Sequence, residues 1–289
     1  MSVGSILALV DGGPGTKGVL QTATRLGQAC EAFVEVLHVT VDPETVIPVV
    51  AEGMSGTAVA QIVESTRQGA EKRAEEAHRL FQDTVRNGGL KITSAEADPQ
   101  PGRFAIAWTQ VKGREASEAA QRGRLFDMTV LARPGEEEGS AAGVTIEAAL
   151  FETGRPILIA PPDVPASFPQ HVLLAWDASR EAARAVWAAR PLLEAAAQVS
   201  IVTVLEGGEA ANPVELARYL ARLGISADTH LVKRGKSDIG SCLLGSAVDL
   251  KADLLAMGGY GHSRVRELIL GGATRGVIER AGLPILMAH

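Results

Sequence analysis

Aromatic residues are scarce in this chain: three Trp, two Tyr and six Phe among 289 residues. Cysteine is rarer still, with Cys30 and Cys242 far apart and in no motif spacing. Two such residues exclude a disulfide-stapled scaffold and read as small core residues of a reducing compartment. No apolar run approaches the ~18 residues of a membrane span. The N-terminus lacks a basic stretch followed by an apolar one, so no secretory signal is expected and the expected setting is cytoplasmic. Basic residues are in deficit, 28 against 34 acidic, for a net charge of −6. Without a basic patch, nucleic acid is not expected as the main partner. The six histidines show no metal-ligand spacing with one another or with cysteine. There is no Gly-x-Ser-x-Gly elbow and no complete Gly-x4-Gly-Lys-Ser/Thr phosphate loop, since His230 stands where Gly235-Lys236-Ser237 would need its first glycine. No general base is identifiable, so at most slow ATP hydrolysis is expected, and the chain does not read as an enzyme.

What is present is a repeat. Hydrophobic residues make up 46% and charged residues 21%, a globular composition with enough chain for two buried cores. Gly154-Arg155-Pro156-Ile157-Leu158-Ile159-Ala160 matches Gly282-Leu283-Pro284-Ile285-Leu286-Met287-Ala288. Phe126-Asp127-Met128-Thr129-Val130-Leu131-Ala132 matches Ala252-Asp253-Leu254-Leu255-Ala256-Met257-Gly258. Each half opens on an apolar strand that ends in Asp, at Asp11 and at Asp177. The next apolar strand ends at Val39 or Val204, at nearly the same distance. The period of 166 residues is a domain length, not a solenoid repeat. The expected division is 1–160, a linker at 161–170 carrying Pro161, Pro162 and Pro165, and 171–289.

In the second half, short apolar runs predict strands over 171–176, 199–204, 228–233, 253–257 and 284–288. Helices are expected over 180–196, 214–223, 239–250 and 274–281, with Ser179 as an N-cap. Alternating strand and helix implies right-handed crossovers and a doubly wound parallel sheet of the α/β class, twice over. Ligands on such sheets bind at strand carboxyl ends near the switch in strand order. The first half is longer. It has an apolar loop over 43–57, a long Ala-, Glu- and Arg-rich helix over 58–86, and a stretch over 91–112. The turn-rich Asp98-Pro99-Gln100-Pro101-Gly102 makes that last stretch read as a β-hairpin.

The chemistry concentrates near the end of the chain. Leu254 to Met257 empties into Gly258-Gly259-Tyr260-Gly261, and Gly271-Gly272 opens a helix nine residues later. Glycine lets a backbone turn with φ > 0 and approach a ligand closely. A helix opening on such a loop offers free N–H groups and the positive end of its dipole, a cradle for phosphate. The same glycines also serve tight structural turns. The spacing Gly258-x2-Gly261-x9-Gly271 resembles the nucleotide-binding signature of the universal stress protein family. The repeat anchors extend that resemblance over the whole chain, strongly over 171–289 and weakly over 1–160.

The resemblance implies two Rossmann-like, adenine nucleotide α-hydrolase-like domains pairing about a pseudo-two-fold axis. It implies a stress-response protein that binds ATP or another adenine nucleotide, with or without Mg, in its second domain. Asp177 then lies against ribose and adenine, and Val204 meets adenine through its backbone. The phosphates fall to Met257, Gly258, Gly261, His262, Arg264, Gly271, Gly272, Ala273 and Thr274. Asp177 as a helix N-cap, Val204 as core, and His262 and Arg264 as solvated surface residues are the structural alternatives. Gly272 departs from the family, which places Ser or Thr there; Thr274 could supply the hydroxyl. A nucleotide-free interaction scaffold of the same fold is the rival reading, and a homodimer of the full chain is an open expectation. The final strands, 156–160 and 284–288, are expected to meet across the interface between the halves.

The first half lacks the glycine spacing. It reads Arg133-Pro134-Gly135-Glu136-Glu137-Glu138-Gly139-Ser140 after its fourth strand, and three carboxylates repel phosphate. Gly13-Pro14-Gly15-Thr16-Lys17-Gly18 fits a dinucleotide fingerprint formally. Pro14 removes a donor, and no acidic residue ends the next strand, so the first half is read as a degenerate copy.

Overall fold

Every strand of the first half finds a partner in the same order as its counterpart in the second. The computed structural model describes residues 3–42, 55–96, 101–134, 141–164, 168–205, 211–259 and 272–289. The first half runs β1 (Ser5–Leu9), α1 (Thr16–Cys30), β2 (Phe33–Val41), α2 (Gly56–Gly88) and β3 (Ala105–Gly113), then α3 (Glu115–Gly123), β4 (Met128–Ala132), α4 (Ala141–Glu152) and β5 (Ile157–Ala160). The second runs β6 (His171–Ala175), α5 (Arg180–Ala195), β7 (Gln198–Leu205), α6 (Pro213–Ala221) and β8 (Asp228–Lys233), then α7 (Ile239–Asp249), β9 (Leu254–Gly258), α8 (Gly272–Arg280) and β10 (Ile285–Ala288). One ten-stranded sheet results, ordered β3-β2-β1-β4-β5-β10-β9-β6-β7-β8. Neighbours are parallel within each half, and the doubly wound Rossmann-like architecture expected from the alternation is present.

The halves join where β5 meets β10 antiparallel, with Leu158 opposite Leu286, Ile157 opposite Met287 and Ile159 opposite Ile285. The two final strands thus form the seam expected from their matching sequences. Pairing them removes two apolar edges from solvent.

Alternation along the strands feeds two cores, one on each face. Ile6, Ala8 and Val10 of the first strand region pack with Val19, Leu20 and Leu26 of α1, and the same layer continues through Leu158 and Leu286 to Leu192 of α5. Leu7 and Leu9 face the other layer, with Ile146 and Leu150 of α4, Leu243 of α7 and Val277 of α8. Both layers cross the seam, so the apolar core is continuous from one half to the other. Each fully buried Leu or Ile there contributes about 1.5–3 kcal/mol of burial.

The repeated Asp127 and Asp253 have one structural job. Asp127 accepts hydrogen bonds from the backbone N–H groups of Gly4 (2.9 Å) and Ser5 (3.0 Å). Asp253 accepts from Gln170 (2.8 Å) and His171 (2.9 Å). In each half the fourth strand is thereby tied to the start of the first. A carboxylate accepting from amides is about twice as strong as a neutral bond, which suits a register anchor.

The hairpin expected over 91–112 does not form. Residues 97–100 lie outside the described residues, and the strand beyond them is β3, parallel to β2 over its whole length. Ile92 makes a single parallel bridge to Ile106, and Thr93 N–H donates to the carbonyl of Ile106 at 2.9 Å. α2 is a crossover helix, and a crossover delivers a parallel strand.

Helix α2 starts at Ser55, whose hydroxyl accepts from Ala58 N–H at 3.4 Å. It ends at Gly89, with φ of +59°, where Gly89 and Leu90 N–H groups close on Arg86 and Val85 carbonyls. Its buried face is Ala70, Ala74, Ala77 and Phe81. Its outer face carries Glu64–Arg67–Glu71 and Glu76–Arg79–Asp83 ion pairs.

Neither cysteine is fully in the core as expected. Both are free and partly exposed, though burial pushes the Cys30 thiol up to about 11.

A helix position with nothing to lose is Gly245 in α7, exposed and facing open space where a Cβ would be. Gly245→Ala should therefore stabilise the protein by about 0.5–1 kcal/mol by restricting the unfolded chain. The urea midpoint would rise at unchanged slope; a fall would refute the helical assignment there.

Candidate functional site: the carboxyl end of the second half

The end of β6 is held to β7 by two bonds. Trp176 N–H donates to Val202 carbonyl at 2.9 Å, and Thr203 hydroxyl donates to Trp176 carbonyl at 2.8 Å. Asp177 comes next and is exposed. Its Oδ1 accepts from Ser179 N–H at 2.9 Å across Ala178, whose φ is +60°. Ser179, not Asp177, is the N-cap of α5, its hydroxyl accepting from Ala182 N–H at 3.1 Å. Asp177 as N-cap is thereby corrected: its carboxylate shapes the turn before the helix. Its Oδ2 takes no hydrogen bond among the described residues and stands exposed beyond the carboxyl end of β6.

Gly258 closes β9, and its missing side chain has a clear use. A Cβ there would lie 2.5 Å from the backbone N of Ala182 and 2.6 Å from the carbonyl carbon of Glu181. The first turn of α5 packs directly on this glycine. Glu181 is 2% exposed and pairs with Arg180 at 3.2 Å. Glu181 is absent from the residues expected at the site; the available signal was an acid in the first turn after a Ser cap. Gly259 is buried between halves: a Cβ there would meet Met287 Cε at 2.9 Å and Leu150 Cδ2 at 3.1 Å. Its N–H donates to Ala288 carbonyl at 2.9 Å, and its own carbonyl meets His289 Nδ1 at 3.0 Å.

The other expected site residues divide three ways. Met257 is core, opposite Met287, so only its backbone faces the strand end. Val204, half-buried near the end of β7, pairs with Val232 and packs on the second core. Gly272 and Ala273 open α8, and Thr274 in its first turn is buried. Gly261, His262, Arg264 and Gly271 lie outside the described residues. Trp176, Asp177, Val204 and Gly258 therefore come together at neighbouring strand ends, beside the opening of α8.

The corresponding place in the first half is packed differently, although Asp11 is exposed like Asp177. Asp11 Oδ1 accepts from Gly13 N–H (2.8 Å) and from Thr16 hydroxyl (3.1 Å). Gly12 has φ of +78°, and the backbone carbonyl of Arg73 from α2 sits where its Cβ would be. Burial raises the Glu115 carboxyl, Thr145 moderates this by hydrogen bonding, and the Asp11 charge adds to it. Asp11 thus has a second carboxyl near it and a helix packed on the residue after it, although it is itself exposed like Asp177. Residues 135–140, with their three glutamates, lie outside the described residues. The glycines of the dinucleotide-like stretch pack α1: a Cβ on Gly15 would meet Ala132 Cβ at 2.5 Å, and one on Gly18 would meet the carbonyl of Pro161.

His38 borders the same region. It is 2% exposed, its Nδ1 lies 2.8 Å from Val10 carbonyl, and its ring stacks on Trp108 at 6.3 Å. Burial lowers its pKa below the ordinary value near 6.5, the Val10 bond partly opposing. A depressed pKa means that the unfolded chain takes up a proton first as pH falls. Stability should therefore be full above about pH 6.5 and fall progressively below it. His38→Gln should flatten this loss between about pH 6.5 and 5 in urea titrations; an unchanged slope would remove His38 as its source.

No family model matches the chain. A universal stress protein of Synechocystis sp. is 30% identical over 173 residues, covering 56% of this chain and 57% of that protein. The match thus spans little more than half the length of that relative. The crystal structure of a universal stress protein from Archaeoglobus fulgidus overlays 98% of this chain and 95% of its own, with a TM-score of 0.68 and 18% identity.

The chain has the fold of these universal stress proteins and resembles one of them in sequence over part of its length.

A structure from Pseudomonas aeruginosa overlays 99% of this chain and 93% of its own at a TM-score of 0.56 and 12% identity, and so speaks to the same fold. The ten-stranded sheet with its repeated strand order fits a tandem universal stress protein. Among the described residues no helix is long and apolar enough to cross a membrane, and no group of three or more His, Cys, Asp or Glu could hold a metal ion.

Proposed function

We propose that this universal stress protein serves a cytoplasmic stress response by binding one adenine nucleotide per chain, in the second of two domains (1–160 and 171–289, joined by 161–170). The observation that carries this reading is the contrast between halves. Asp177 and Asp11 are both exposed after a first strand, but Asp11 also accepts from the Thr16 hydroxyl, has the Glu115 carboxyl near it, and precedes Gly12, which packs on Arg73 of α2. Glycine-rich sequence then leads into α8, whose first N–H groups suit a phosphate. ATP is the favoured ligand, Asp177 and Val204 meeting its nucleoside and Gly258, Gly261, His262, Arg264, Gly271, Gly272, Ala273 and Thr274 its phosphates. Arg264 offers a permanent planar charge to phosphate, with or without Mg.

Turnover is expected to be slow or absent, because no general base stands at the crevice among the described residues. A nucleotide-free scaffold is the second reading, favoured by Gly272 where a hydroxyl is usual and by the burial of Thr274. Mass spectrometry of ligand released from the denatured protein, with calorimetry on the emptied protein, separates the two. One nucleotide per chain supports the first reading; none, or two equal sites, overturns it.

A further inference from the structure

The two ends of the sheet are not treated alike. The outer side of β3 is met by Ile92 and Thr93 and lies beneath α2. No segment pairs with the outer side of β8 among the described residues. β8 reads Asp228-Thr229-His230-Leu231-Val232-Lys233, and most of it is exposed; Leu231 is 59% exposed in the middle of it. Arg234 N–H donates to Leu205 carbonyl on β7 at 3.3 Å. Backbone groups alternate along a strand, so Thr229, Leu231 and Lys233 turn their N–H and C=O groups outward. Charged edges usually discourage pairing, and Asp228 and Lys233 would do so against most partners.

One partner is an exception. We propose that β8 pairs antiparallel with β8 of a second copy of this chain, with Leu231 opposite itself, giving a dimer whose sheet runs on through both molecules. A two-fold axis through Leu231 sets Thr229 against Lys233 and uses all three outward residues; shifting the register by one step leaves one of them unpaired. The same register sets Asp228 against Arg234 twice, so the edge charges attract instead of repel. Leu231 meets its own copy and leaves solvent. This is the geometry the chain already uses internally, where Leu158 faces Leu286. An isologous contact of this kind closes at two copies.

The test is sedimentation equilibrium of the full chain over a range of concentrations. A reversible monomer–dimer equilibrium is expected. Arg234→Asp should weaken it about tenfold, as two opposed pairs turn repulsive. Asp228→Arg added to Arg234→Asp should restore it, since the swapped charges again complement. Leu231→Pro, which removes the outward N–H on the axis itself, gives a second disruption, with circular dichroism to confirm that the fold is kept. A monomer at all concentrations overturns the proposal. So does a dimer indifferent to all three variants, or one that the charge swap fails to restore.

Discussion

Gly258→Val should destabilise the protein by about 3 kcal/mol or more, the size expected when a core position is overpacked against backbone. The added Cβ would stand 2.5 Å from a backbone nitrogen of α5, and a backbone cannot rotate away as a side chain can. Either α5 shifts or the end of β9 does. Thermal unfolding should fall by roughly 6–12 °C for that loss in a chain of this size. Gly259→Ala is the control, because its nearest neighbours are the ends of Met287 and Leu150, which can move. Equal losses in the two variants would mean that α5 does not depend on Gly258.

Asp177→Ala should weaken adenine nucleotide binding by about 1.5–3 kcal/mol, roughly ten- to a hundredfold or more in Kd, through one lost charge-assisted hydrogen bond. Asp11→Ala should leave the affinity unchanged, since Asp11 already engages Gly13 and Thr16 and the adjoining Gly12 is packed against Arg73 of α2. Calorimetry on both variants decides the matter. Equal losses would put the site in the wrong half. Asp177 also holds Ser179 N–H, so Asp177→Asn serves to separate loop shape from charge.

Much of the fold could be read from the chain because local pattern and tertiary role agree there. β8 and α7 fall where period and caps place them, and Ser179 caps α5 as its position before an Ala- and Arg-rich run implies. The seam was legible because its two strands carry nearly the same apolar sequence. The failures have a common cause, which is that packing partners distant in sequence leave no local trace. Asp98-Pro99-Gln100-Pro101-Gly102 marks a turn but not the direction of the strand after it. The packing of α2 on the turn after β1 depends on Arg73 meeting Gly12, 61 positions away. Gly258 reads as a ligand-facing glycine, yet its bare face is taken by Glu181 and Ala182. A glycine's sequence position states that room is needed, not for what. Glu181 escapes notice in the sequence because an acid in a first helical turn is ordinarily solvated.

The seam has a consequence for how weakly its two strands need to attract each other. Three residue pairs join its two strands, a short ladder that on its own would hold separate strands together poorly. Joining the halves in one chain turns that encounter into an intramolecular one. With a connection of about ten residues, each final strand sees the other at an effective concentration in the millimolar range. Pairing is then secured by tethering, and neither half must keep a strong self-recognising edge. The first half can then devote its 33-residue helix α2 to packing beside its own first strand, at Gly12, while its last strand stays paired with that of the second half.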